Sequence, residues 1–385
     1  MVEPRIALFT GNYNHIRDGV SLTLNRMVSY LEEQGIKVKV FGPTIDDPAI
    51  PPNGDFMAVP SVPMSGTRSE YRITSKFPSE VKRAIKEFNP NLIHIATPDY
   101  LGFRALLWAM NHDIPVVSSY HTHFTSYANY YNFDFLEGIL WDFLRWFYSK
   151  CEQLYVPSQS MADVLALKHI DEGIRIWARG VETELYNPSK RDMEWRRSVG
   201  FKDDEIVVTF VSRLVWEKEL KTFAKAVNRV KIGNTRVRAM VVGDGPAMSG
   251  VKEMLPQAHY TGFVKGEELA RAYASSDVFF FPSHTETFGN VTLEAMSSGL
   301  PCLVADATGS KSLVEDKVNG CLGKIQDVED FTKKLKIITD NDDLRLQMGV
   351  ASREKAMDYR WEIINRNLLG YYNEVLNPEP EFESH

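Results

Sequence analysis

The sequence predicts an α/β protein made of two parallel-sheet domains, and three observations carry that expectation. The chain has 385 residues, of which 44% are hydrophobic, enough for two buried cores. Short apolar runs alternate with segments of helical period along both halves, the pattern of a parallel sheet with crossover helices. Asp277 to Val304 (DVFFFPSHTETFGNVTLEAMSSGLPCLV) then gives a strand, a loop and a helix in quick succession. Val278–Phe281 reads as a buried strand, Pro282 breaks it, and a helix-like segment ends before Gly299 and Pro301.

In chain order, Arg5–Thr10 reads as a strand. Leu22, Val28 and Leu31 follow a helical period up to Gly35, and VKVFGP is the next strand, so the chain opens on a βαβ unit. Asp18-Gly19-Val20-Ser21 puts a glycine and a small hydroxyl at the start of that helix, suited to phosphate or to a tight turn. No complete G-x-G-x-x-G follows, which argues against a nicotinamide enzyme. Ile45–Gly66 reads as loops with a strand near Phe56–Val59, Ser79–Phe88 as an amphipathic helix, NLIHIATP as a strand and Gly102–His112 as a helix. IPVVSSYHTH is a further strand. Arg68, Arg72, Lys76, Lys82, Arg83, Lys86 and Arg104 are read first as a solvated helix face. His121 and His123 lie on one side of an extended segment, but no carboxylate or cysteine follows at ligand spacing, so a structural histidine is favoured over a metal ligand. Trp141–Tyr148 fits a buried helix, whereas Phe124, Tyr127, Tyr130, Tyr131, Phe133 and Phe135 are too many rings for one short loop to hide. CEQLYVPS is a strand, and Ser158 and Ser160 begin a helix.

The second half opens with EIVVTFVSRLVWEKELKTFAKAV, a strand, a loop and a helix. Arg213 and Lys218 in that loop can offset the charge of a pyrophosphate. RVRAMVVGDGP is a strand and a turn in which Gly243 and Gly245 let the backbone approach a ligand. Ser312–Asn319 looks like a surface helix and turn. Asp340-Asn341-Asp342 has the look of a metal-binding D-x-D, but it precedes LRLQMG and reads better as a helix cap. Trp361–Leu376 is amphipathic, and residues 377–385 form an acidic tail of disordered composition.

A formal net charge of -7 disfavours nucleic acid as a partner. The three cysteines, Cys151, Cys302 and Cys321, lack metal-ligand spacing and read as reduced core residues of a cytosolic protein. Ile6–Phe9 is far shorter than a signal segment, and no run reaches the roughly 18 apolar residues of a spanning helix.

In the central stretch, Gly289 and the free N–H groups of the helix after it offer a phosphate seat, flanked by Glu286 and Glu294. A charged pair at this spacing usually only solvates a helix face. Here, however, ETFGNVTLEAMSSGLP resembles, residue for residue, the signature of retaining GT-B glycosyltransferases of family four. Within that family the chain looks most like the branch holding sulfoquinovosyl and glucuronosyl diacylglycerol synthases and glycolipid mannosyltransferases. The resemblance runs from Arg5 to about Leu376.

That resemblance implies two Rossmann-like domains facing across a cleft. Residues 1–190 would form the acceptor side, with 361–376 packing back on it, and 191–360 the nucleotide-sugar side. The implied reaction moves a hexose-type sugar from a nucleoside diphosphate, UDP in the first instance, to a lipid alcohol such as diacylglycerol. Configuration would be retained by front-face attack, with no metal, no cofactor and no protein nucleophile; the nucleotide sugar is a substrate. Family positions map onto Gly19 near the donor phosphates, His121 (rather than His123) of YHTH near the reacting carbon, and Arg213 and Lys218 as the phosphate clamp. Gly243, the backbone of Phe263 and Val264 at the nucleobase, and Glu286, Phe288, Gly289, Asn290 and Glu294 complete the donor set. Glu219 departs from the pattern, since relatives often carry glycine or asparagine there. Tyr127, Tyr130 and Tyr131 are the expected acceptor and membrane contacts of an enzyme lying peripherally on the inner, cytoplasmic face of an anionic membrane. A transferase acting on polysaccharide or another soluble sugar, and a non-catalytic nucleotide-sugar sensor, are the alternatives.

Overall fold

The computed structural model describes residues 2–64, 70–120 and 134–378. The chain divides into two compact units, Met1–Ala178 with Glu362–His385, and Arg179–Trp361.

The first unit runs β1 (Arg5–Phe9), α1 (Gly19–Glu33), β2 (Lys37–Gly42), β3 (Asp55–Ala58), β4 (Ser61–Pro63), β5 (Arg72–Thr74), α2 (Ser79–Phe88), β6 (Leu92–Ile95), α3 (Tyr100–Met110), β7 (Val116–Ser119), α4 (Asp134–Tyr148), β8 (Gln153–Val156), α5 (Gln159–Ala166) and β9 (Ile174–Ile176). Its described residues form a seven-stranded sheet ordered β3-β2-β1-β6-β7-β8-β9, parallel throughout, with β4 and β5 as a separate antiparallel hairpin. Central strands such as LIHI and VVSS are buried along their whole length, which is why they read as unbroken runs rather than as alternation.

The second unit runs α6 (Met193–Ser198), β10 (Ile206–Val211), α7 (Leu220–Gly233), β11 (Val237–Val242), α8 (Met248–Met254), β12 (His259–Gly262), α9 (Glu267–Ala274), β13 (Val278–Phe281), α10 (Asn290–Ser297), β14 (Cys302–Ala305), β15 (Gly320–Gly323), α11 (Val328–Asp340) and α12 (Asp342–Met357). Its sheet has six parallel strands in the order β12-β11-β10-β13-β14-β15. Both units are thus Rossmann-like.

The last helix, α13 (Trp361–Leu376), returns to the first unit. There the buried Tyr372 hydroxyl lies 2.7 Å from His94 Nδ1, and His94 Nε2 lies 2.5 Å from Ser119 Oγ. Burial pushes the His94 imidazole down to about 3, so this ring is a neutral structural histidine.

Three sequence expectations need correction. The units divide at Arg179 and not at 191, because the segment after Arg179 is tied to the second unit. Val181 N–H donates to Tyr359 O at 2.8 Å, and Arg353 donates to the Thr183 and Tyr186 carbonyls at 3.1 and 2.9 Å. Ser312–Asn319 is no surface helix: a 3-10 turn over Ser310–Ser312 leads into an irregular segment whose Leu313, Val314 and Asn319 are buried. Asn319 Nδ2 donates to Leu313 O, which fixes that segment without helical bonds. Helix α4 begins at Asp134 and is buried on one face only, through Trp141, Leu144, Phe147 and Tyr148, while Ile139 and Trp146 are exposed. At Asp340–Asp342, Asn341 Oδ1 accepts from Leu344 N–H and caps α12.

Candidate active site

In the second unit, β10 and β13 are neighbours from which the chain departs to opposite edges of the sheet. The crevice beyond their carboxyl ends is the position where open parallel sheets bind ligands. Two loops line it, Ser212–Glu219 after β10 and Pro282–Gly289 after β13.

Gly289 ends the second loop in a left-handed conformation, φ +98°, and a Cβ there would meet Ser310 Oγ at 2.7 Å. Helix α10 then starts at Asn290 with no side-chain cap, and Thr292 N–H donates to Gly289 O at 3.0 Å, which leaves the two leading N–H groups, of Asn290 and Val291, outside the intrahelical ladder. Asn290 is exposed at this end. Phe288 can serve the expected donor set through its backbone alone. Its ring is buried and packs on Tyr359 with centroids 6.0 Å apart, which leaves only its backbone for a ligand.

Lys218 Nζ lies 2.6 Å from Glu286 Oε1 and 3.4 Å from Thr285 Oγ1, joining the two loops, and both charged side chains are about one-fifth exposed. Arg213 stands exposed on the first loop. Gly243 and Gly245, both at positive φ, let the turn after β11 lie directly on that loop, since a Cβ would come 1.9 Å from Ser212 O or 2.4 Å from Leu214 O. Close packing of two backbones therefore demands these glycines. Glu219 adopts φ +59°, a conformation natural to glycine and asparagine. Its carboxylate turns to Thr222 Oγ1 (2.8 Å) and Gln326 Nε2 (2.9 Å).

Glu294, in the second turn of α10, accepts from the Tyr273 hydroxyl at 3.1 Å. Burial keeps the Tyr273 phenol far above its ordinary range, so it remains a donor that orients Glu294. Phe263, 75% exposed, stands at the end of β12 rather than in the core. Val264 borders a cavity of about 240 Å³ with Trp195, His259, Tyr260 and Arg271. A larger cavity of about 500 Å³ lies at the amino ends of β13 and β14, near Asp277 and Pro301, away from these loops.

The first unit has its own switch point between β1 and β6. Gly19 is the exposed first residue of α1, and Asp18 caps that helix by accepting from Ser21 N–H at 2.8 Å. Beside it, Gly11 N–H donates to Thr97 Oγ1, and Asp99 accepts from Thr97 Oγ1 (3.0 Å) and Gly102 N–H (2.9 Å). Burial pushes the Asp99 carboxyl up and the nearby His15 imidazole down. Asp99, Thr285 and Tyr273 carry no sequence signal of a site, since each reads as an ordinary cap, loop or core residue. His121, His123, Tyr127, Tyr130 and Tyr131 lie outside the described residues.

Two Rossmann-like sheets, with a cationic loop and a glycine-led helix start converging at the switch point of the second, are the architecture of GT-B glycosyltransferases. Profile comparison matches residues 17–185 to Glycosyltransferase Family 4 and residues 192–355 to Glycosyl transferases group 1. The chain belongs to this family of glycosyltransferases. A GDP-mannose-dependent alpha-mannosyltransferase of Mycolicibacterium smegmatis is 31% identical over 97% of this chain and 98% of its own length. Sulfoquinovosyl transferase of Arabidopsis thaliana is 34% identical over 72% of this chain and 55% of its own. Alpha-monoglucosyldiacylglycerol synthase of Streptococcus pneumoniae is 26% identical over 83% of this chain and 75% of its own.

Proposed function

We propose that this enzyme transfers a hexose-type sugar from a nucleoside diphosphate to a lipid alcohol such as diacylglycerol, with retention of configuration and without a divalent metal. The observation that carries the reading is the uncapped start of α10 at Gly289, set between Glu286, paired with Lys218, and Glu294, held by Tyr273. Backbone N–H groups, Lys218 and Arg213 would take the diphosphate and the charge that builds on it as the glycosidic bond breaks. Once Lys218 is drawn to phosphate, Glu286 is released to accept from sugar hydroxyls, and Glu294 accepts from the ribose. His121 keeps its proposed place near the reacting carbon.

A lipid acceptor is supported by the diacylglycerol synthase among the relatives. It is supported also by an exposed apolar face on the first unit. Tyr100, Phe103, Leu107 and Met110 recur at helical spacing on α3, and Phe103 contacts Phe143 and Trp146 of α4 at 6.1 and 5.9 Å. Tyr100, Met110, Ile139 and Trp146 are exposed, and rings of this kind settle at a headgroup interface. No helix of the described residues is long and apolar enough to cross a membrane; the contact proposed here is peripheral, on the cytoplasmic face.

UDP is the donor nucleotide expected from the resemblance, whereas the mannosyltransferase relative is named for GDP-mannose. The test is a panel of UDP- and GDP-sugars scored for thermal stabilisation, followed by product analysis with dispersed diacylglycerol and with soluble sugars. Release of nucleoside diphosphate only with the lipid, and an anomeric configuration matching the donor, is the expected result. Equal glycosylation of soluble sugars would replace the lipid by a polysaccharide acceptor, and binding without turnover would indicate a sensor.

A further inference from the structure

We infer that Glu219 and His284 form a second tie between the clamp loop and the sugar loop, one that keeps the sugar loop seated while Lys218 engages the donor. The inference rests on the proposed roles of Lys218 and Glu286. The first tie, Lys218 to Glu286 and Thr285, is made of groups the donor would claim. A diphosphate competes for the lysine, and a sugar hydroxyl competes for the carboxylate. That link therefore weakens at the moment when the loop must stay in place.

Next to it stands a link whose members face each other and are not claimed by the donor. Glu219 Oε1 lies 3.7 Å from His284 Nδ1, one residue along on each loop from the Lys218–Thr285 contact. His284 Nδ1 is buried without a hydrogen-bond partner, an orphan that normally has a use. The opposing carboxylate is fixed from two sides, Oε2 by Thr222 Oγ1 in the first turn of α7 and Oε1 by Gln326 Nε2 after β15. A shift of less than 1 Å would make an ordinary charge-assisted hydrogen bond, and a neutral imidazole carrying its proton on Nδ1 suffices for it. The backbone adds a second sign. Glu219 holds φ +59°, a conformation that a side chain with a Cβ disfavours, so a glutamate there needs a return from its contacts. Holding Thr222 and Gln326 alone is the simpler account of Glu219, and it makes different predictions.

Three variants separate the two: Glu219→Asn, which suits the left-handed backbone but falls short of His284, His284→Ala, and the double variant. Backbone amide exchange over residues 283–289 in ligand-free protein reads the tie directly. Faster exchange in both single variants, with no further gain in the double, is expected. Unchanged exchange would overturn the tie whatever the enzyme's activity. In steady-state assays with the best-stabilising nucleotide sugar, each single variant should raise donor KM about three- to tenfold, while kcat and the affinity for the bare nucleoside diphosphate stay within about twofold. His284→Asn, whose Nδ2 can stand in for Nδ1, should recover most of the wild-type KM. A role confined to holding Thr222 and Gln326 would shift the melting temperature of Glu219→Asn alone and leave the exchange and KM of His284→Ala unchanged, and that result would sink the inference. Absence of any nucleotide-sugar binding by the wild type would instead count against the proposed function, with the exchange measurement still deciding the tie.

Discussion

Replacing Glu294 by alanine tests the proposed ribose contact, because the buried Tyr273 phenol beside it keeps an acceptor. Tyr273 shares its hydroxyl between Glu294 Oε2 at 3.1 Å and the Val291 carbonyl at 3.2 Å, so removing the carboxylate still leaves the buried phenol an acceptor. The melting temperature should move by about 2–4 °C, the equivalent of about 1 kcal/mol in a domain of this size. Affinity should respond far more strongly. A hydrogen bond to a charged group contributes roughly 1.5–3 kcal/mol, which corresponds to about 10- to 100-fold weaker binding of UDP or GDP. Tyr273→Phe is the graded control: it keeps the carboxylate but removes the donor that orients it, at a stability cost of about 1 kcal/mol. Titration calorimetry with both nucleoside diphosphates should rank wild type above Tyr273→Phe and Tyr273→Phe above Glu294→Ala. Equal affinity of Glu294→Ala and wild type would refute the ribose assignment, and a weaker Tyr273→Phe than Glu294→Ala would refute the orienting role of the phenol.

Arg213→Ala and Lys218→Ala should each lower turnover by about 10² or more, and the rate should be insensitive to EDTA; strict dependence on added magnesium or manganese would contradict the metal-free reading. Gly243→Ala should destabilise the protein by about 3 kcal/mol or more in denaturant titration, because its Cβ would lie 1.9 Å from Ser212 O at a backbone φ of +129°. His94 sets a pH signature of the first unit. With its folded value pushed from 6.5 to about 3, the unfolded chain binds the proton first, so stability is full above about 6.5 and falls as pH drops from there toward 3. The slope approaches about 1.4 kcal/mol per pH unit, and His94→Gln should flatten that part of the curve of melting temperature against pH.

The strands were legible because a parallel sheet covered on both faces writes itself as apolar runs. IVVTFV of β10 and VFFF of β13 are buried at every position. The helix start at Gly289 was legible for an equally local reason, the glycine and the polar loop before it. What the sequence hid depends on contacts between distant residues. Tyr273 and Glu294 meet across two helices, and neither segment announces the other. Phe288 sits inside the motif and was counted with the ligand contacts, yet its ring serves the core against Tyr359. Ser312–Asn319 has a helix-like composition, but buried bonds of Asn319 to the backbone hold it irregular. The division at Arg179 follows from the reach of Arg353, a side chain some 170 positions later. The sequence has Gly243 making room for a ligand, and the structure adds that it makes room for another stretch of backbone.

The return of α13 to the first unit fixes an order of assembly. Residues 179–361 are contiguous and can close their own sheet as soon as they leave the ribosome, whereas the first unit lacks the Tyr372 hydroxyl that meets His94 until the final stretch of chain is made. The first unit is thus completed only after residues 179–361 have been made. Val2 N–H donates to Asn377 Oδ1 at 2.7 Å, so the two ends of the described chain are neighbours on one unit. A circular permutant that joins them and opens the chain in a loop of the first unit would present α13 next to its sheet early in synthesis, and would reverse the order in which the two units mature.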